Sequence, residues 1–199
     1  TDNTAYIIAQ YEKKFPEKFK VIASPVNKKQ GGAKNLGLEK AQGDWIGFID
    51  SDDWVTLDFY EKLIKQGEET GADMVGCDYH LTNCHSMEIG QVVHNNHPSQ
   101  AGILNREKYR SLILDSGSLV VKIYRRDMIL DYPNRFPEGI FYEDNALGNS
   151  WMLRAKHFEY IEEPLYYYYQ HDTSTVHTIT QRRCEDRMEA GRIMLEEAK

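Results

Sequence analysis

Apolar residues along this chain keep two rhythms in turn, helical spacing and short unbroken runs. Ile7, Ile8, Tyr11 and Phe15 recur at helical spacing and predict a first helix, with Thr4 as its cap and Pro16 as its stop. "FKVIASP", residues 19–25, reads as a strand of β-branched and aromatic residues ended by Pro25. Gly31 and Gly32 then open a short helix carrying Ala33, Leu36, Leu38 and Ala41 and closed by Gly43, and "WIGFID", residues 45–50, is a second buried strand. Two strands separated by a helix form a βαβ unit, which predicts an α/β domain with a partly parallel sheet. Ligands of such sheets sit beyond the carboxyl ends of the strands.

The pattern continues in the same manner. Residues 56–71 predict a helix with Leu57, Tyr60, Leu63 and Ile64 on its apolar face and Gly71 at its end, and residues 72–79 a third strand. Residues 82–104 are polar and read as a loop with a hairpin. A short helix (106–117), a strand running into a helix (118–130) and a turn (134–139) come next. A helix from Tyr142 puts Leu147, Trp151 and either Leu153 or Ala155 inside, "PLYYYYQ" at 164–170 is a strand, and 180–199 is a polar terminal helix. No internal repeat or low-complexity linker marks a domain boundary.

Composition narrows the function more than the fold. At 199 residues the chain can bury a single core without staples, and no apolar run reaches membrane-spanning length. A formal charge of -7 argues against nucleic acid as the main partner, and a negative protein that handles phosphate would recruit a cation. Cys77, Cys84 and Cys184 have no zinc-like spacing and read as packing residues of a reducing compartment.

The acids carry the chemistry. "GFIDSDDW", residues 47–54, sets Asp50, Asp52 and Asp53 at the end of a buried run. A buried carboxylate is costly unless paired or bound to a cation, so the three predict a hard divalent ion, Mg²⁺ or Mn²⁺. Magnesium usually takes one or two carboxylates plus substrate phosphates, which points to a nucleotide diphosphate. In an extended strand Asp50 and Asp52 face one way and Asp53 the other. The competing explanation is capping of the next helix by Asp53 or Thr56, and the two can coexist.

"GGAKNLGLEKAQGDWIGFIDSDDWVTLDFYEKL", residues 31–63, resembles the middle of a family 2 glycosyltransferase, with a Gly-Ala-Arg-Asn-x-Gly helix followed by a strand ending Asp-Ser-Asp-Asp. The resemblance runs on through "VVKIYRRDMI", "RFPEGIFYEDNAL" and "EPLYYYYQHDTST". It implies a GT-A, Rossmann-like α/β domain over residues 1–178, a mixed, mostly parallel sheet flanked by helices, with 179–199 as a C-terminal helix. It further implies a chain that starts after the family's first two strands, and Lys34 stands where the family usually has Arg, which loses the planar bidentate donor. The activity implied is inverting transfer of a sugar from a nucleotide-diphosphate donor, commonly UDP-linked, to the hydroxyl of a carbohydrate or lipid-linked acceptor. Cell-surface polysaccharide or glycolipid synthesis at the cytoplasmic face of the membrane, with peripheral association, is the implied setting.

By the same resemblance Asp52 is the metal ligand, Asp50 meets metal or ribose, and Asp53 supports from behind, with Ser51 between them at the donor. Gly31, Lys34 and Asn35 would contact the nucleotide sugar, although two glycines also suit a plain helix start. The family's base matches Asp144, with Glu143 as the alternative; both acids also complement a helix dipole. His171 would reach metal or diphosphate from a segment that closes over the donor. Lys122 and Arg125 would neutralise the leaving diphosphate, or be solvated ends of a buried strand. Tyr166 to Tyr169 would stack on sugar rings, or alternate so that two of them fill the core. Two rivals remain: a nucleotide-sugar-binding or scaffolding fragment without activity, and a haloacid-dehalogenase type phosphatase, whose motif needs Thr where this chain has Trp54.

Overall fold

One long strand organises the sheet. In the computed structural model, which describes residues 2–83, 89–114, 117–131, 135–170 and 179–197, the elements are α1 (Thr4–Lys14), α2 (Lys29–Lys40), β1 (Trp45–Gly47), β2 (Trp54–Val55), α3 (Phe59–Thr70), β3 (Met74–Asn83), β4 (Ile89–Val93), β5 (Gly102–Ile103), α4 (Arg106–Leu114), β6 (Lys122–Arg125), α5 (Arg126–Leu130), α6 (Glu143–Met152), β7 (His157–Gln170) and α7 (Gln181–Glu197). The strands form one sheet in the order β1-β6-β3-β7-β2, with β4 beside β3 and β5 beside β7. β3 and β7 pair in parallel along their length, while every other described pairing is antiparallel. The expected mixed sheet with flanking helices is present. Its parallel character lies in the common direction of β1, β3 and β7, because β6 is inserted antiparallel between β1 and β3.

Each face of the sheet has its own core. α3 lays Phe59 and Leu63 against Val75, Cys77, Ile123 and Tyr166 on one face. On the other, Leu38 of α2, Leu112 of α4 and Leu147 and Trp151 of α6 pack on Ile46, Met74, Tyr124 and Phe158. Trp151 is the hub there, stacked on Phe48 at 6.0 Å and edge-on to Tyr124 and Phe136 at 5.4 and 5.1 Å. Pro164 sits in β7 where its register against β3 slips, so its missing N–H costs no regular ladder bond.

Several expectations are corrected. Residues 19–25 form no strand: no described strand pairs with them, and the Val21 N–H donates instead to Glu12 Oε1 of α1 at 2.9 Å. The apolar stripe of α1 is exposed, and Thr4 is its first residue, preceded by Asn3 as N-cap. α2 buries Gly31, Gly32, Asn35 and Leu38, with Ala33 outside: Gly31 and Asn35 meet the loop at Phe136 and Pro137, while Leu38 packs in the core on the sheet. In α3 the buried stripe is Phe59, Leu63 and Gly67, four residues apart, and Leu57 lies outside the helix in solvent. α6 ends at Met152, short of both alternatives; beyond it Ala155 is buried and Leu153 exposed. Of the hairpin expected within 82–104 only one strand lies in that range: β4 pairs antiparallel with β3, which starts at Met74. Cys77 is a packing residue whose thiol burial pushes up to about 12, whereas Cys184 is exposed; Cys84 lies outside the described residues.

The rotated face of α3 gives a paired test in urea unfolding. Leu63→Ala is expected to cost about 2–5 kcal/mol, the usual range for truncating an enclosed leucine, while Leu57→Ala leaves the midpoint unchanged.

Candidate active site

β1, β3 and β7 end on the same edge of the sheet, and the acids gather there. Beyond β1 the chain turns through Asp50–Asp53, closed by the Asp53 N–H donating to the Asp50 carbonyl at 3.1 Å. Tyr166 of β7 fastens this turn: its hydroxyl donates to Asp53 Oδ2 at 2.6 Å and accepts from the Asp50 N–H at 3.3 Å. The Tyr169 N–H donates to Asp53 Oδ1 at 2.8 Å. Both oxygens of Asp53 are thus engaged with β7, so the carboxylate does not cap α3, and the N-cap of that helix is Asp58. Ser51 and Asp52 are exposed on the turn and Asp50 is half-buried.

Titration tracks this crowding. Burial raises the Asp50 carboxyl above its ordinary range; Lys34 opposes the rise, and the charges of Asp52, Asp144 and Glu143 add to it. Asp53 is lifted to about 6 by burial, against the two hydrogen bonds that hold its ionised form, with help from Asp50 and Asp52. The turn acids and the acid pair of α6 therefore share one electrostatic neighbourhood, with Lys34 as the opposing charge. Lys34 Nζ lies 2.6 Å from Glu143 Oε1, with the two side chains only 14% and 2% exposed. Asp144, the next residue, is half-buried in the first turn of α6, accepts from the Asn145 N–H at 2.9 Å, and borders a small cavity with Gly117, Leu119 and Tyr124.

The other candidates have more local partners. The Asn35 amide exchanges two hydrogen bonds with the Phe136 backbone, at 2.9 and 3.0 Å. Gly31 is held close to Pro137, whose carbonyl oxygen would stand 2.3 Å from an added Cβ, so only glycine fits. Gly31 and Asn35 thus face the loop that leads into Glu143 and Asp144. Lys122 is fully buried on β6, where it donates to the Ser118 carbonyl at 2.9 Å. Arg125 pairs with Glu68 at 3.2 Å and covers the Trp45 ring at 4.3 Å. His171 lies outside the described residues. Among the described residues no three His, Cys, Asp or Glu side chains converge into a ready-made metal site.

Two of the four tyrosines fill the α3-side core, as alternation requires: Tyr166 is buried in it and Tyr168 packs against it. Tyr167 faces the other way, stacked between Trp54 at 5.4 Å and His80 at 5.2 Å. Tyr166 is the residue that sequence reasoning missed. Its position in a strand gave its face, but nothing in the spacing told that its hydroxyl reaches the acid turn.

A family model for glycosyl transferase family 2 matches residues 1–131, well over half of the chain. The chain belongs to glycosyltransferase family 2. Among curated relatives of this family 2 domain, the uncharacterized glycosyltransferase YibD of Escherichia coli strain K12 is 28% identical over 178 residues, covering 87% of this chain and 51% of YibD. EpsH of Bacillus subtilis strain 168 is 31% identical over 176 residues, covering 85% and 49%. The chain spans about half the length of these relatives. Residues 1–349 of Staphylococcus aureus TarS, solved in complex with UDP-GlcNAc, share the GT-A fold: the TM-score is 0.75 at 21% identity, over 99% of this chain and 54% of that one.

The raised Asp53 carboxyl makes a signed prediction. Its contribution to folding is complete below its ordinary value of 3.8 and is lost as pH rises through about 6. Urea midpoints are expected to fall between pH 4 and pH 7 in the wild type and to fall less in Asp53→Asn; equal slopes contradict the assignment.

Proposed function

We propose that this family 2 domain is the donor-binding and acid–base part of an inverting glycosyltransferase that takes a sugar from a nucleotide-diphosphate donor of the UDP class. The observation that carries the proposal is the convergence on Asp50: the turn acids, Lys34 and the Glu143–Asp144 pair all act on one carboxylate at the carboxyl edge of the sheet. The TarS complexes with UDP and UDP-GlcNAc support a nucleotide-sugar donor for a chain of the same fold.

The donor set fits Mg²⁺ or Mn²⁺. It is made of hard oxygens, and Asp50 is pushed toward protonation by burial and by like charges, a cost that a divalent cation offsets. Asp52 and Asp50 would hold the ion, with the rest of its coordination drawn from the donor's phosphates. A bound ion supplies charge neutralisation for the departing diphosphate.

The protein's own residues do the remaining work. Asp53, fixed by Tyr166 and Tyr169, holds the turn so that Asp50 and Asp52 keep their place. Lys34 engages Glu143 at 2.6 Å, which leaves Asp144 as the acid of the pair not tied to that lysine and bordering a small cavity. In single displacement the acceptor oxygen bonds to the anomeric carbon as the carbon–oxygen bond to the diphosphate breaks on the opposite face. The hydroxyl proton passes to Asp144, and the bonding pair leaves with the nucleotide. The acceptor is a carbohydrate or a lipid-linked saccharide. Peripheral association at the cytoplasmic face would bring the domain to a lipid-linked acceptor; no helix among the described residues is long and apolar enough to cross a membrane.

Two variants test the division of labour in the full-length protein. Asp52→Ala is expected to abolish the Mn²⁺-dependent part of UDP binding in calorimetry; undiminished Mn²⁺-dependent affinity counts against the metal role. Asp144→Asn is expected to keep UDP affinity and lower sugar transfer by about 10²–10⁴-fold, and near-normal turnover moves the base elsewhere. A wild-type protein that binds UDP-sugar with Mn²⁺ yet neither transfers nor hydrolyses it is the outcome expected of a binding or scaffolding role.

A further inference from the structure

The segment from Phe136 to Tyr142 delivers the chain into Glu143 and Asp144, and it is fastened from two sides. On the α2 side, Asn35 holds Phe136, Gly31 admits Pro137, and the Gly139 N–H donates to the Lys28 carbonyl at 3.2 Å. On the α7 side, Asp186, 4% exposed, accepts from the Phe141 N–H through Oδ2 at 3.0 Å and meets Arg182 Nε through Oδ1 at 2.9 Å. Lys29 of α2 ties the two sides together: its Nζ lies 3.6 Å from Asp186 Oδ2 and 3.8 Å from the centre of the Phe141 ring. Arg183 and Arg187 of α7 cover the rings of Phe141 and Tyr142 at 5.1 and 5.4 Å.

What these fastenings hold is strained. Tyr142 has φ of +63°, a left-handed conformation that a tyrosine adopts only where its surroundings impose it. It stands directly before the acid pair. A relaxed Tyr142 would rotate the start of α6 and with it the direction of the Asp144 carboxylate. Asp186 and Ala190 are the buried positions of α7, one turn apart, and α7 packs along α6, so the same helix face supports both the strained turn and the helix that follows it.

We propose that α7 is a positioning element for the base, and that Asp186 is its key residue, setting the turn at Phe141–Tyr142 and through it the aim of Asp144. This rests on Asp144 being the base. Asp186 touches no reacting atom; it acts through the backbone N–H of Phe141. Asparagine at 186 keeps an oxygen acceptor for that N–H, whereas alanine removes it.

The test is initial-rate kinetics of the full-length protein with UDP-GlcNAc, reading UDP release. Asp186→Ala is expected to lower kcat by about 10- to 100-fold, the size of loss a misplacement of about 1 Å produces, with donor KM within about threefold of wild type. Asp186→Asn should recover most of that loss. The proposal is overturned if kcat of Asp186→Ala matches wild type, or if kcat and KM deteriorate together and Asp186→Asn does no better. If Asp186→Ala does not fold, Asp186→Glu decides: its carboxylate is displaced by one methylene, so the same kcat loss at steady KM supports the proposal and a wild-type kcat overturns it. Asp144→Asn measured alongside separates the two levels. Loss there without loss in the Asp186 variants refutes the positioning role alone, and retained turnover there refutes the base and the positioning role with it.

Discussion

Carboxylates brought together at the edge of a sheet repel one another and resist leaving water, and everything around this site answers that constraint. Asp50, Asp52, Glu143 and Asp144 come from two distant stretches of sequence, and the opposing charge between them is Lys34, on a third. The Lys34–Glu143 pair is short and enclosed, so neither group can be removed without leaving a buried charge uncompensated. It is a weak source of net stability. It is a strong device for register, because it fixes where α6 begins relative to α2 and hence where Asp144 stands relative to the turn after β1.

The same logic explains why so much backbone is stitched by side chains here. Loops that carry acids have no ladder to hold them, and their polar groups still need partners. Asn35 supplies a donor and an acceptor to Phe136, Tyr166 bridges the two ends of the Asp50–Asp53 turn, and Asp186 takes the N–H of Phe141. Two of these partners, α2 and β7, are themselves packed in the cores, and the third, α7, packs along α6. The site is thereby built on rigid elements although its acids lie at or beyond element ends, which is the condition for geometry to be reproducible at the scale that group transfer needs.

Much of this was legible in the sequence. Helical periodicity located α3 and α6, unbroken apolar runs located β3 and β6, and the motif resemblance identified the family and the GT-A fold. What failed had physical causes. Residues 19–25 have strand composition, but a strand exists only through its partners, and composition does not name them. The packing of Gly31 and Asn35 against Pro137 and Phe136, far along the chain, is a tertiary fact that spacing does not report. Lys122 reads as a strand-end cation in the sequence, and its full burial on β6 comes from tertiary packing that spacing does not report. The left-handed Tyr142 left no trace in spacing, since a non-glycine residue in that conformation is imposed by its surroundings.

The account stands on the claim that the acid edge is built to press a divalent cation against a diphosphate. Crystals of the full-length protein grown with UDP and Mn²⁺, measured at the manganese absorption edge, test it most directly. The account predicts an anomalous peak within bonding distance of the Asp52 carboxylate and of the diphosphate oxygens, with Asp50 facing it. Ordered UDP with no manganese peak at this turn, or a peak remote from both aspartates, would contradict it.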